Sequence, residues 1–211
     1  MGKLERCQTC GRPLHKGRPD EKMQQPKSFG VRCLSQHEVD SLLRACNGRL
    51  RNIVLFALNT GILQMDILSL MWSQVDLDYM EIEIKGLILP LNETAINILK
   101  DRLEKANKSG CVFTSGNGHI ISSRNINHAL RTASRKAGIN TVRLYDLRND
   151  FAARLFEAGV DGYVIGRLLG HKTAGTPVRP LCAIAELMRQ AVEALDEMSL
   201  DDTDKNKPSS E

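Results

Sequence analysis

One stretch of this chain alternates with the period of a strand, while most of the rest repeats with the period of a helix. Met80, Ile82 and Ile84 alternate with Glu81 and Glu83, giving one apolar and one wet face. Lys85-Gly86 follows as a turn, and Leu87 to Leu91 reads as the returning strand. A lone hairpin needs a helical body to pack on. The expected fold class is therefore mainly α with a small antiparallel β-sheet (α+β).

The helical signals surround that hairpin. Ser35 and Glu38 form a capping box, and Val39, Leu42, Leu43 and Cys46 then share one helical face. Asn47-Gly48 is expected to end that helix. A second helix is read from Ile53 to Leu58, interrupted at Thr60-Gly61, and a third from Met65 to Trp72. Asn92 should cap a helix running to Lys105, and Cys111-Val112-Phe113 reads as a short buried strand. Further helices are expected over 123–137, 148–157 and 160–169, with Gly138 and Gly159 as stops. The last is Leu181 to Met198, where Ile184, Leu187, Ala191, Ala194 and Leu195 form one apolar stripe.

Charge divides the chain into three parts. Residues 1–31 are a basic, Cys-containing appendage and linker; counted to Arg32, this arm carries eight Lys/Arg against three Asp/Glu. Residues 32–198 form the folded domain. Residues 199–211 are expected to be an acidic disordered tail, since they are polar and nearly devoid of apolar residues. A basic arm on a mildly basic body suits a duplex nucleic-acid partner. No run of eighteen apolar residues and no apolar leader appear, and the six cysteines are scattered. These features predict a protein without a membrane partner, in a reducing cytoplasm.

Two C-terminal motifs carry more information than the charge. Arg143-Leu144-Tyr145-Asp146-Leu147-Arg148 precedes an apolar helix, and Leu168-Leu169-Gly170-His171-Lys172 follows it. Upstream lie Thr60-Gly61, Leu70-Met71-Trp72 and Pro90-Leu91-Asn92-Glu93. In this order the segments resemble the catalytic domain of the tyrosine recombinase (phage integrase) family, over about residues 33–197. The resemblance implies a domain that acts on double-stranded DNA in integration and site-specific recombination. In that family a tyrosine attacks a phosphodiester while two arginines hold its non-bridging oxygens. A hairpin lysine and histidines handle protons.

Carried over residue by residue, the resemblance finds only part of this set. Arg148 matches the second arginine, His171 the L-G-H histidine, and Lys85 is the sole hairpin lysine. Leu63 stands at the first arginine position, Tyr145 at the box histidine and Pro180 at the nucleophile. No tyrosine occurs after Tyr163, so a shifted register does not restore one. Loss of a nucleophile costs on the order of 10⁶ in rate. Loss of a donor that stabilises developing charge costs roughly 10²–10³ more. The implied protein is a pseudoenzyme that binds DNA through Lys85, Arg143, Arg148, His171 and Lys172 without cutting it. The alternative is an interaction regulator that docks on an active recombinase, or on a second copy of itself, through Leu181–Met198.

Cys7-Gln8-Thr9-Cys10-Gly11 has the spacing of half a metal knuckle, the alternative being an incomplete relic or a pair of free surface thiols. Cys33 is the best completing ligand for a structural zinc, ahead of His15 and His37. No cofactor is otherwise required.

Overall fold

The computed structural model describes residues 33–104, 110–115, 119–171 and 181–204. Eight helices and a three-stranded sheet are found among them. Helix α1 (Gln36–Ala45) starts on the expected capping box: Ser35 Oγ accepts from Glu38 N–H at 3.3 Å, and Glu38 Oε2 accepts from Ser35 N–H at 3.0 Å. Helix α2 (Gly48–Thr60) follows at once. Here the expectation for Asn47-Gly48 is reversed. Asn47 does not end α1 but caps α2, its Oδ1 accepting from Leu50 N–H at 2.9 Å. Gly48 is the first residue inside the new helix. An asparagine serves either end, and the side-chain bond decides which.

Helix α2 is the central element, with Leu50, Ile53, Val54, Phe56 and Ala57 all buried. It packs on α4 (Glu93–Glu104) and α6 (Leu144–Glu157). It ends at Gly61, whose φ of 60° is left-handed. A Cβ there would run into the ring of Phe151 on α6, so glycine is required twice over.

The expected third helix is cut short. Helix α3 covers only Gln64–Leu68, and a 3₁₀ turn spans Trp72–Gln74. Between them the backbone turns to another partner. Val112 N–H donates to Leu70 O at 2.8 Å, and Trp72 N–H to Gly110 O at 2.9 Å. Cys111-Val112-Phe113 is buried as expected, but Cys111 forms only an isolated bridge to Met71.

The hairpin is present as β2 (Glu81–Ile84) and β3 (Leu87–Pro90), paired antiparallel with Ile84 opposite Leu87. Lys85 and Gly86 both have positive φ, 52° and 77°, as a tight two-residue hairpin turn requires. A two-residue strand, β1 (Val75–Asp76), joins the outer edge of β2. Met80, expected as the first strand residue, lies in the turn before it with φ 54°.

Helices α5 (Ser123–Lys136) and α7 (Gly162–Leu168) match the sequence reading closely. Helix α6 begins at Leu144, one turn earlier than expected, so Arg148 lies inside the helix and not at its start.

Helix α8 runs Leu181–Asp204 and continues past Met198 into residues expected to be disordered tail. Of its apolar stripe, Ile184, Ala191 and Leu195 are buried in the chain's own core and Leu187 and Ala194 are partly covered, with Met188 and Val192 buried beside them. Polar contacts fix the docking. Arg189 Nη2 lies 2.6 Å from Glu81 Oε1. Asp196 accepts from Asn92 Nδ2 (3.0 Å), Glu93 N–H (2.8 Å) and Thr94 Oγ1 (2.6 Å), at the start of α4. Much of the stripe named in the docking alternative therefore packs within the chain.

Among the described residues no helix is long and apolar enough to cross a membrane.

Candidate nucleic-acid interface

Four segments distant in sequence meet around one open cavity of about 330 Å³. The α2–α3 junction contributes Leu63 and Asp66, the hairpin Lys85, α6 Arg148, and the end of α7 Arg167 and His171. The remaining wall is aliphatic, with leucines and isoleucines from the same elements.

Arg148 organises this cavity. Only 8% exposed, it donates from Nη1 to Gly61 O and from Nη2 to Leu169 O, each at 2.7 Å. The left-handed turn at Gly61 is thus pinned to the turn that presents His171. Burial lowers the Arg148 pKa from its ordinary value, while Tyr145 and Asp66 act in the opposite direction. The guanidinium stays charged, because arginine does not lose its proton in proteins. Two of its five donors are engaged by these carbonyls, and it adds a fixed positive charge to the wall.

The other expected residues divide into three groups. Lys85 and His171 line the cavity with Arg148. Lys85 is not free, however: its Nζ lies 2.8 Å from Asp66 Oδ1. Leu63 also lines the cavity and is 42% exposed, an aliphatic side chain at the first arginine position. Tyr145 and Arg143 are exposed and do not line it. Arg143 acts locally through its backbone N–H, which donates to Asp146 Oδ2 at 2.8 Å and caps α6. Lys172 and Pro180 fall outside the described residues, as do Cys7, Cys10 and His15.

Cys33 is exposed, and its thiol pKa is raised by partial burial and by the charges of Asp150 and Glu157. Among the described residues no group of three His, Cys, Asp or Glu is placed to hold a metal.

Two features escaped the sequence reading. One is Arg167, the only charge in the run Val164–Leu169, which reaches the cavity from α7. The other is a basic face on α5. Arg124, His128, Arg131 and Arg135 are spaced 4-3-4, which keeps them on one side of the helix, and all are exposed. No Asp or Glu occurs in α5. Its first residue, Ser123, contacts Met65 on α3 through a 3.3 Å Oγ–Sδ bond, so the basic face begins beside the helix that carries Asp66. The 4-3-4 spacing was visible in the sequence as the polar complement of buried Ile126, Leu130 and Ala133.

The sequence model of the phage integrase family matches residues 32–178. The chain belongs to the phage integrase family. The integrase of Salmonella phage P22 is 30% identical over 169 residues, covering 72% of this chain and 44% of that protein. This family member spans about half the length of the curated relatives it matches. Among solved structures, the integrase from mycobacterium phage Brujita superposes with a TM-score of 0.64 at 23% identity, over 89% of this chain and 62% of that one. A lambda integrase dimer bound to a COC′ core site gives 0.56 at 20% identity, over 70% and 62%. These likenesses establish the tyrosine recombinase catalytic-domain fold for residues that include the whole cavity.

Proposed function

We propose that this phage integrase family protein binds double-stranded DNA across the face bearing the cavity, and does not break a strand by itself. One observation carries the reading. A buried guanidinium, Arg148, shares its cavity with an exposed leucine, Leu63, where the family resemblance calls for the first arginine of the pair. Binding needs charge near phosphate, and the cavity retains it. Transfer of the phosphoryl group needs that charge aimed from two sides, plus a nucleophile, and Pro180 supplies none.

The parts have distinct roles. Arg148 and His171 face the scissile-type phosphate, His171 presented by a turn whose backbone is fixed by His171 N–H donating to Gly166 O at 2.9 Å. The α5 face follows the duplex backbone away from the cavity, each arginine displacing a counterion. Lys172, Arg143 and the basic arm of residues 1–31 add sequence-independent attraction. The lambda integrase relative is bound to a core site, which supports DNA as the partner class.

The test is a salt titration of a labelled random-sequence duplex, followed by anisotropy. The full chain should bind with a log–log salt slope of about −0.9 for each phosphate neutralised. Replacing Arg131 and Arg135 together by Gln should flatten that slope by about 1.8. Salt-independent binding, or none at low salt, would overturn the DNA reading.

A further inference from the structure

Arg167 is the cavity charge with no assigned partner. Its Nε is buried and has no hydrogen-bond partner among the described residues. Among the described residues the only carboxylate lining the cavity is Asp66, and Lys85 already holds it at 2.8 Å. Arg167 as a whole is only partly buried, and a covered donor such as its Nε is costly unless water or a ligand meets it. An anion suits this position, because the guanidinium is positive and Asp66 is already held by Lys85.

We infer that Arg167 supplies the second guanidinium for a DNA phosphodiester in this cavity, the place that Leu63 has vacated. The inference rests on the DNA-binding reading above. Arg148 comes from α6 and Arg167 from α7, so the two reach the cavity on different supports. One non-bridging oxygen faces each, and a planar guanidinium fork suits that geometry better than an ammonium. A competing account places Arg167 in the last turn of α7 merely to balance the helix dipole. That account explains a cation there, but leaves the buried Nε unexplained, and it would be satisfied equally by lysine.

The experiment compares the full-length chain with Arg167→Gln, Arg167→Lys and the double variant Arg167→Gln/Leu63→Arg on a random-sequence duplex. Thermal melting of each variant is recorded alongside. Arg167→Gln should reduce the salt slope by about 0.9 and weaken binding at least several-fold, with the melting temperature unchanged or raised. Arg167→Lys should keep the slope but bind more weakly than wild type. Leu63→Arg should restore the slope lost in Arg167→Gln, since both positions would serve one phosphate. Inorganic phosphate should raise the wild-type melting temperature and leave that of Arg167→Gln unmoved. If wild type binds duplex and Arg167→Gln shows the same slope, the inference fails while the DNA reading stands. A double variant that does not regain the slope also overturns it. If wild type does not bind duplex at all, the DNA reading fails and takes this inference with it.

Discussion

Lys85 Nζ lies 2.8 Å from Asp66 Oδ1, so the hairpin's only lysine is tied to the helix that follows the Gly61 turn. The pair is lopsided: the lysine is mostly exposed and the aspartate mostly covered. Such a pair contributes about 0–1 kcal/mol to stability, because water and salt screen the exposed partner. Its larger effect is on ligand charge. It removes one cation from the set available to phosphate.

Asp66→Asn should release that cation. Duplex affinity should rise, the salt slope should steepen by up to about 0.9, and stability should change by no more than about 1 kcal/mol. Anisotropy titrations at three salt concentrations, with a urea melt of the same variant, provide the check.

Gly61 is the backbone device on which the cavity depends. Its carbonyl receives Arg148, its φ is 60°, and the Phe151 ring fills the space where a Cβ would sit. Gly61→Ala combines a left-handed penalty of about 1–2 kcal/mol with overpacking of about 1–3 kcal/mol. The urea midpoint should fall accordingly, and duplex binding should drop with it because Arg148 loses its anchor.

Asp196 joins the end of the chain's core to its middle. It accepts three hydrogen bonds at the start of α4, including the Glu93 N–H. Asp196→Ala leaves Asn92 Nδ2, the Glu93 N–H and Thr94 Oγ1 without this acceptor. It should cost about 1–3 kcal/mol in a denaturant melt. Limited proteolysis should cut α8 sooner in the variant than in wild type.

Asp150 gives the fold a pH signature. Burial raises its pKa from the ordinary carboxyl value, partly offset by Arg154 and by the Leu34 N–H, which lies 3.3 Å from its Oδ1. The folded state therefore holds a proton that the unfolded chain has released in the window above about pH 4. More protons bound in the folded state mean that stability falls as pH rises through this window. Asp150→Asn keeps an acceptor for Leu34 and should abolish that part of the slope, measured as urea midpoints between pH 3.5 and 6.

The fold was legible where pattern is local. The Ser35 box, the 80–91 hairpin and the Gly138 and Gly159 stops are each set by residues within a few positions. The errors came where a distant partner decided the outcome. Leu70 to Trp72 reads as helix until the strand-like segment at 110–112 takes its backbone hydrogen bonds. Asn47 suits either helix end, and only its bond to Leu50 settles it. The candidate site shows the same divide. Arg148, His171, Lys85 and Leu63 were found by motif, and the cavity brings them together. Arg167 sits in no motif, and the outward turn of Tyr145 to 62% exposure is set by the start of helix α6, which the sequence pattern places one turn later.

The most direct test of the account is a single native agarose gel of the full chain titrated onto supercoiled plasmid at moderate salt with magnesium. A binder without a nucleophile should progressively retard the supercoiled band, and deproteinised samples should show the starting topology unchanged. Relaxed topoisomers or a protein–DNA adduct surviving detergent would contradict the account, as would a supercoiled band that never shifts.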